Sequence, residues 1–459
     1  MRLGRARHQN PAQAELPLEP RGEASGEQRS GETRPVDNGN ERSGNNNLME
    51  EVVERRNVEE ALKRVRKNKG SPGIDGMTVD ELPNYLTKNW RVLREQLLAG
   101  TYKPSTVRRQ EIPKPDGGVR ELGIPTALDR LIQQAILQVL QPRFDPTFSE
   151  HSYGFRPGRS AHDAVRAAQK YIQEGRGWVV DVDLEKFFDR VNHDMLMGRL
   201  AKRIEDKRML RLIRRYLEAG IMVNGVVVER DEGTPQGGPL SPLLANVLLD
   251  EVDKELERRG HAFCRYADDC NVYVQTERAG QRVMEGMRKL FEKLRLKVNE
   301  SKSAVAPATG DRKFLGFNFW LTKEGQVKRG VAKKALERMK ERVRNMTKRP
   351  GGKSMRSVFE ELAGYLRGWK NYFQLAEASW VFRYLDGWIR RRLRAVQLKQ
   401  WKHGHNVMRL LMARGVPAYQ ARVAAAHPHR FWRMAKHPAL TLAFPNTYYQ
   451  QMGVPRLAR

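Results

Sequence analysis

The sequence predicts an α+β protein, in which a mixed region of hairpins and helices is followed by a region of helices alone. Up to about residue 325, short runs rich in Val and Ile alternate with segments that carry an apolar helical stripe. Beyond residue 330 the apolar residues follow helical spacing only. The chain has 459 residues, more than one ordinary core accommodates, so two or three domains are expected.

The charge of the chain is strongly basic and unevenly distributed. There are 84 Lys and Arg residues against 54 Asp and Glu, a formal net charge of +30. Residues 321–459 hold 30 basic and 7 acidic residues, whereas residues 1–47 hold 7 of each. Such a bias favours a polyanionic partner, above all nucleic acid, over a merely solubilising surface.

The first 47 residues contain no aromatic residue and are rich in Gly, Pro, Asn, Glu and Arg. We expect residues 1–47 to be a disordered N-terminal extension, or translated sequence upstream of the functional start. The beginning of the chain lacks the apolar core of a signal peptide, and no apolar run is long enough to span a membrane. A cytoplasmic protein without membrane contact is therefore expected.

The mixed region carries local signals for each of its elements. Apolar periodicity indicates the helices, and Gly, Pro, Asn and Asp mark the turns between them. The predicted order is a helix over 48–68, a loop at 71–76, a hairpin over 111–125 with its tip at 115–118, a helix with an apolar stripe over 128–139, a helix from 160, a strand over 178–184, an Asn-Gly hairpin over 221–228, a loop at 233–242 and an apolar helix over 243–256.

The helical region combines aromatic and basic residues. A helix over 355–373 has its large apolar residues at helical spacing, and Trp380, Tyr384 and Trp388 repeat the pattern on the next helix. We interpret these aromatic residues as core. The arginines beside the second set are the predicted nucleic-acid contacts: Arg383, Arg390, Arg391, Arg392 and Arg394.

The stretch FCRYADDCNVYV (263–274) places two adjacent aspartates between flanks that suit strands. Taken alone, it is either a polar hairpin turn or a site for a divalent cation. The two cysteines of the chain, Cys264 and Cys270, flank the pair. They are too few for a four-cysteine zinc site, and we expect them to be small buried residues on either side of the turn.

A second acidic strand end occurs in VVDVDL (179–184). Asp181 and Asp183 point to the same face because side chains alternate along a strand. If this strand lies beside the hairpin, three carboxylates share one site, and they repel one another unless cations are bound. Hard cations such as Mg²⁺ prefer oxygen ligands, and paired Mg²⁺ ions are used in phosphoryl transfer. The sequence therefore favours a divalent-cation site over a polar hairpin turn without a bound ion.

The ordered motifs resemble those of group II intron-encoded reverse transcriptases, also called maturases, from about residue 48 to the end. They are GIDG, IPKPDGGVRELGIPT, SYGFRPGRSAHDAV, Asp183 with an aromatic residue five positions on, TPQGGPLSP, YADD, LKVNESKS, FLGF and GWKNYF. The resemblance implies a right-hand polymerase fold. Fingers and palm are expected over 48–325, a helical thumb or maturase domain over 326–400, and a short basic DNA-binding segment over 401–459.

The resemblance implies roles for individual residues. Asp183 and Asp268 resemble the main metal ligands, with the backbone of Leu184 also facing the metal and Asp269 as the third acid. Two Mg²⁺ ions per active site are implied.

Further residues resemble those that bind the nucleotide. Phe188 is similar to the aromatic residue that excludes a 2′-hydroxyl, although one of Phe187 and Phe188 has to be buried. Gln236 resembles the residue that steadies the nucleotide. The remaining implied contacts are the fingers cations Arg108, Lys114 and Arg120, the palm residue Lys302, and the primer grip at 314–317.

The implied function is RNA-directed DNA polymerisation, with copying of intron RNA for retrohoming and help in its splicing. The implied partners are the group II intron RNA, an RNA template with a DNA primer, target DNA and deoxynucleoside triphosphates, in the cytoplasm and nucleoid of a bacterium. No cysteine follows Cys270. The chain is therefore expected to resemble the lineage without a C-terminal endonuclease.

Two alternatives remain open at the level of sequence. A splicing cofactor that no longer polymerises would need no clustered acids, yet Asp183, Asp268 and Asp269 are all present. An RNA-dependent RNA polymerase, or a reverse transcriptase of the retron or immune kind, could use Asp183 and Asp189 instead. Phe188 argues against a ribonucleotide substrate.

Overall fold

A computed structural model describes residues 47–113, 119–223, 226–228, 233, 237–348, 354–427 and 430–458. The chain divides into two compact units. Unit 1 comprises the described residues up to 160 together with 180–272 and 281–304, and unit 2 comprises 161–179, 273–280 and the residues from 305 onward. None of the helices in the described ranges is long and apolar enough to span a membrane.

The helices run along the whole described chain and dominate its last third. They are α1 (Leu48–Val53), α2 (Arg55–Lys67), α3 (Leu82–Leu98), α4 (Ala127–Phe144), α5 (Ala161–Gln173), α6 (His193–Ala201), α7 (Lys207–Glu218), α8 (Ser241–Arg258), α9 (Glu277–Lys293), α10 (Lys333–Met346), α11 (Met355–Tyr372), α12 (Ser379–Trp401), α13 (Gly404–Met412), α14 (Ala418–Ala425), α15 (Phe431–Met434), α16 (Pro438–Ala443) and α17 (Asn446–Gln451).

The strands form three sheets. They are β1 (Val107–Pro113), β2 (Val119–Ile124), β3 (Trp178–Val182), β4 (Ile221–Val223), β5 (Val226–Val228), β6 (Ala262–Tyr266), β7 (Asp269–Val274), β8 (Ala304–Pro307), β9 (Phe317–Leu321) and β10 (Val327–Val331). Their orders are β2-β1-β4-β5, β10-β9 and β6-β7-β3-β8. Together with the helical C-terminal third, this confirms the predicted α+β class.

The two predicted hairpins of unit 1 form. β1 and β2 are antiparallel, with Arg108 opposite Ile124 and Ile112 opposite Arg120. β4 and β5 are also antiparallel, and β4 pairs with β1 in parallel. The predicted tips at 115–118 and 224–225 lie outside the described residues.

The helix predicted over 48–68 is interrupted. Glu54 has an extended backbone with φ −60° and ψ 137°, and it separates α1 from α2. The Asn57 side-chain amide donates to the Val52 carbonyl (3.0 Å) and to the Ala135 carbonyl on α4 (3.1 Å). The first bond satisfies a carbonyl group at the break and the second joins α2 to α4, and both short helices pack their apolar faces inward.

Unit 2 has an apolar core between its long helices. Phe359, Leu362, Leu366 and Trp369 on α11 are buried, as predicted for this helix. The FLGF motif joins this core, because Phe317 is fully buried and its ring lies 5.1 Å from that of Phe373.

The prediction for α12 was wrong about which side chains are buried. Trp380 and Tyr384 are 68% and 55% exposed, whereas Arg390 and Arg394 are only 8% and 9% exposed. The reason is the helical phase. The buried stripe of α12 consists of smaller aliphatic residues such as Leu385, and the aromatic residues spaced four apart lie on another face.

Candidate functional site

The adjacent aspartates lie where β6 turns into β7. A two-residue turn, Ala267–Asp268, connects the strands, and Asp269 begins β7. Ala267 has a positive φ of 59°, which a tight turn requires and which is unfavourable for a residue with a Cβ. Cys264 and Cys270 are buried free cysteines beside the turn, as predicted. Burial raises the pKa of both thiols.

A buried arginine, Arg265, supports the Ala267–Asp268 turn, and the sequence analysis did not identify it. Arg265 is 1% exposed, and its Nη1 donates to the Ala267 carbonyl at 2.9 Å. Its Nε and Nη2 both donate to Asp253 on α8, at 2.7 and 2.5 Å. Burial raises the pKa of the Asp253 carboxyl, and the facing guanidinium opposes that rise. The available signal was an Arg within an otherwise apolar strand.

The SYGF motif packs against the same turn. Arg265 Nη2 donates to Ser152 Oγ (2.8 Å), and Nη1 donates to Asn246 Oδ1 (2.9 Å). The Asn246 amide in turn donates to the Gly154 carbonyl at 2.9 Å. A Cβ on Gly154 would lie 2.3 Å from the Ala267 nitrogen, so only glycine fits there. Residues far apart in sequence thus fix the backbone next to Asp268.

Asp183 directly follows the end of β3, because this strand ends at Val182, two residues before the end predicted at residue 184. Its N–H donates to Ser303 Oγ (3.0 Å), and its carbonyl accepts from the Asn299 N–H (2.8 Å). The LKVNESKS segment therefore holds the main chain of Asp183. Lys302, predicted to support the site, is exposed in this segment, and its backbone N–H donates to the Asn299 carbonyl at 3.1 Å.

Leu184 faces Val298 across an isolated antiparallel bridge. The hydrogen bonds beside it run from the Glu185 N–H to the Lys297 carbonyl and from the Asn299 N–H to the Asp183 carbonyl. Leu184 and Val298 are therefore a non-hydrogen-bonded pair, so the Leu184 carbonyl points away from the 297–299 segment. This orientation suits the predicted role of that carbonyl as a ligand.

One contact relates the two acidic segments. β3 and β7 are neighbours in the sheet, and the Asn271 amide, oriented so that its nitrogen donates, reaches Asp181 Oδ1 at 3.1 Å. Asp183 and Asp269 each lie two residues from this contact. Because side chains alternate along a strand, Asp269 lies on the sheet face that carries this contact, and Asp183 follows directly after β3 at the same end of the sheet.

The donor chemistry of the two acidic segments fits Mg²⁺. Among the described residues there is no group of three or more His, Cys, Asp or Glu side chains arranged to hold a metal ion. The prediction that three carboxylates share one site therefore finds no formed cluster here. The oxygen donors of Asp183, Asp268 and Leu184 are nevertheless of the kind that hard cations prefer.

Phe187 and Phe188 are distinguished by burial. Lys186 has φ 48°, and the short 3₁₀ helix Phe187–Asp189 follows it. Phe187 is 3% exposed, whereas Phe188 is partly exposed, and their rings meet edge to face at 5.1 Å. The expectation that one of the two is buried is confirmed for Phe187.

Gly233, the residue before TPQGG, contacts the same segment. The Gly233 N–H donates to the Val191 carbonyl (2.9 Å), and a Cβ on Gly233 would lie 2.9 Å from the Phe188 carbonyl. Further on, a Cβ on Gly237 would lie 2.7 Å from the Gly123 carbonyl. Gln236 itself lies outside the described residues.

The predicted fingers cations are only partly covered by the structure. Arg108 is half-buried on β1, and its Nε is buried without a hydrogen-bond partner among the described residues. Arg120 lies opposite Ile112 in the register, but its side chain is outside the described part, as is the whole of Lys114. These roles stay predictions.

The predicted arginine contacts on α12 separate into two groups. Arg390 lies 3.6 Å from Asp386, and Arg394 Nη2 donates to the Phe444 carbonyl at 2.9 Å. Both are buried, with their nearest described polar partners inside unit 2, so we correct their predicted role as nucleic-acid contacts. Arg383 is exposed, and Arg391 and Arg392 are half-exposed.

Comparison with known proteins identifies the family. Residues 112–319 match the family model described as "Reverse transcriptase (RNA-dependent DNA polymerase)", and residues 336–414 match "Group II intron, maturase-specific domain". Protein YkfC of Escherichia coli (strain K12) is 34% identical over 298 residues, which cover 56% of this chain and 78% of YkfC.

A second relative is itself named as a group II intron-encoded protein. The group II intron-encoded protein LtrA of Lactococcus lactis subsp. cremoris is 29% identical over 341 residues. The matched region covers 60% of this chain and 57% of LtrA. The chain therefore belongs to the group II intron-encoded reverse transcriptase/maturase family, the RNA-directed DNA polymerases that also carry a maturase domain.

Proposed function

We propose that this protein copies the RNA of its own group II intron into DNA for insertion at a DNA target, and that it binds the same RNA to assist splicing. The observation that supports the catalytic part is that hydrogen bonds from side chains and backbone distant in sequence hold the main chain of both acidic segments in place. Asp183 is bonded by Asn299 and Ser303, and the Ala267–Asp268 turn is bonded by Arg265.

In the proposed reaction, the primer 3′-hydroxyl attacks the α-phosphorus of a deoxynucleoside triphosphate, and pyrophosphate leaves. Asp183, Asp268 and the Leu184 carbonyl would hold two Mg²⁺ ions, with Asp269 as the third acid. When bound, Mg²⁺ supplies the positive charge that activates the hydroxyl and stabilises the leaving group. Rigid support for the two acidic segments limits the reorganisation that the reaction requires.

Other residues of the chain would position the nucleotide. The partly exposed Phe188 ring is available to exclude a 2′-hydroxyl, while buried Phe187 is not. Arg108, Lys114 and Arg120 would hold the triphosphate. Gln236 would steady the sugar and base, and Lys302 would contribute positive charge beside the Asp183 segment.

The basic surface of unit 2 supports binding of the intron RNA. Residues 321–459 carry a net charge of +23, from 30 basic and 7 acidic residues. A protein that neutralises many phosphates binds nucleic acid with a strong dependence on salt. Exposed Arg383 is among the cations available for such contacts.

Primer extension tests the catalytic proposal. The purified chain, an oligo(dT) primer on poly(rA), Mg²⁺ and labelled dTTP should give extension, and Asp268→Ala should give none. RNA binding by the variant should stay close to that of the parent, because Asp268 contributes no positive charge. Extension by Asp268→Ala would refute the assignment. Tight RNA binding without extension by the parent would instead favour a splicing cofactor that does not polymerise.

A further inference from the structure

A cavity in unit 2 lies outside the proposed polymerase site. It has a volume of about 570 Å³, which falls in the range of roughly 300–1,000 Å³ seen for small-molecule sites. Its walls come from the second half of α12 and from residues 430–433. The lining that matters chemically consists of four cations and two aromatic residues, namely Arg392, Lys399, Arg430, Arg433, Phe431 and Trp432.

The described lining of this cavity contains no carboxylate. In the sequence, Asp386 is the last acidic residue and fourteen Lys and Arg residues follow it, so the α12 and 430–433 walls have no acidic neighbour later in the chain. Four cations around one cavity therefore favour an anion as its occupant.

One of the lining arginines, Arg392, is already oriented by the protein. Arg392 Nε donates to Thr347 Oγ1 at 2.8 Å, and Thr347 is itself buried and donates to the Val343 carbonyl at 2.6 Å. Burial and the nearby Arg344 lower the pKa of Arg392. A bound anion would offset both effects, because it favours the charged guanidinium.

The aromatic residues of the cavity distinguish a nucleotide from a simple anion. Arg391 donates to the Trp432 carbonyl at 2.8 Å, and its guanidinium lies 3.9 Å from the centre of the Trp432 ring. Trp432 is thereby held in place, yet 42% of it remains exposed. Lys399 lies 5.7 Å from the centre of the Phe431 ring. Aromatic rings interleaved with cations are the usual surface for stacked bases and their phosphates.

We propose that this cavity binds one unpaired nucleotide of a single-stranded segment, with its base on Trp432 and Phe431 and its phosphates facing the four cations. The proposal deepens the proposed function, since it rests on a nucleic-acid partner, but it does not require polymerisation. Intron RNA and target DNA offer the same chemistry, and the experiment below separates them.

The first test locates the contact. The full-length protein, with its polymerase site preoccupied by an unlabelled hairpin primer–template, is irradiated with a 12-nucleotide oligouridylate that carries one central 4-thiouridine. We expect cross-linked peptides that contain residues 430–433. Cross-links that form exclusively elsewhere would overturn the proposal.

The second test measures affinity under the same preoccupied conditions. Trp432→Ala should weaken binding of the oligouridylate by about 5- to 150-fold, the range expected for loss of one stacked base. Tyr419→Ala is the matched control, because Tyr419 is 68% exposed on α14 and does not line the cavity. An equal effect of the two substitutions would overturn the proposal.

An abasic strand of the same length separates base recognition from charge. The affinity of the abasic strand should be nearly unchanged by Trp432→Ala. An equal loss of affinity for the abasic strand and the oligouridylate would mean that the cavity recognises charge alone, and it would refute the nucleotide assignment. Tighter binding of oligouridylate than of oligothymidylate would assign the site to RNA, and the reverse would assign it to DNA. Primer extension measured in parallel shows whether the polymerase proposal holds, so either proposal can fail without the other.

Discussion

The buried arginine beneath the acidic turn provides a test of how rigidly the proposed active site has to be held. The perturbation is Arg265→Met, which keeps an unbranched side chain but removes every donor. In the parent, Arg265 donates to Asp253, Asn246, Ser152 and the Ala267 carbonyl. The variant therefore removes the support of the turn and leaves a carboxylate in the core.

The magnitude follows from the burial of the pair. Asp253 is fully buried, and its described ion-pair partner is Arg265. Removing one partner of a buried ion pair costs about 3–5 kcal/mol, because the other charge is left uncompensated. At roughly 2–4 °C per kcal/mol for a domain of this size, the melting temperature of unit 1 should fall by about 6–20 °C.

A double variant separates stability from the support of the turn. Arg265→Met with Asp253→Leu removes both charges, and well-packed apolar replacements of buried ion pairs are often close to neutral. We expect it to regain most of the lost melting temperature. It still provides no donor for the Ala267 carbonyl, so the turn that carries Asp268 remains unsupported.

The assays are thermal unfolding by circular dichroism and primer extension at saturating substrate. The double variant should fold and should extend primers at least about tenfold more slowly, since a small misplacement of reacting groups is costly. Extension at the parental rate by the stably folded double variant would refute the reasoning. The Arg265 contact with Ala267 would then serve folding alone.

Three further outcomes are expected. Phe188→Ala should admit ribonucleotides in primer extension, and an unchanged preference for deoxynucleotides would mean that another residue excludes the 2′-hydroxyl. Phe187→Ala should instead lower the free energy of unfolding by about 3–5 kcal/mol, because it removes a buried ring, and the melting temperature should fall accordingly. Gly154→Ala should lose both activity and stability because its Cβ has no room, whereas Gly198→Ala, with nothing within 4 Å, should be tolerated; equal activity of the two variants would contradict this. Burial raises the pKa of Asp206, but its hydrogen bonds outweigh that effect and hold the pKa below the usual range, so its stabilisation is present above the ordinary Asp pKa and is lost as the pH falls through the folded-state value. In unfolding experiments between pH 3 and 7, the free energy of unfolding of Asp206→Asn should accordingly fall less steeply with decreasing pH than that of the parent. An equally steep fall in both proteins would argue against this role.

Several features of this protein could be predicted from the sequence because they depend on neighbours along the chain. Aromatic and β-branched residues around YADD, and valines around the Asn-Gly pair, predict strands joined by tight turns, and both strand pairs form. The helical spacing over 355–373 predicts α11 and its buried face. The order of the motifs was sufficient to indicate the family, because each motif is a local string.

Other features were decided only by the tertiary structure. Arg265 and Ser152 are 113 residues apart, and Asp183 and Ser303 are 120 apart, so no local pattern indicates that these side chains support the acidic segments. The same holds for α12, where the sequence shows both arginines and aromatic residues at helical spacing. Which set is buried depends on the partners across the helix. Inside unit 2, Arg390 lies 3.6 Å from Asp386 and Arg394 donates to the Phe444 carbonyl, whereas Trp380 is exposed. A buried charge is stable only where folding brings it a partner, and sequence periodicity carries no information about that partner.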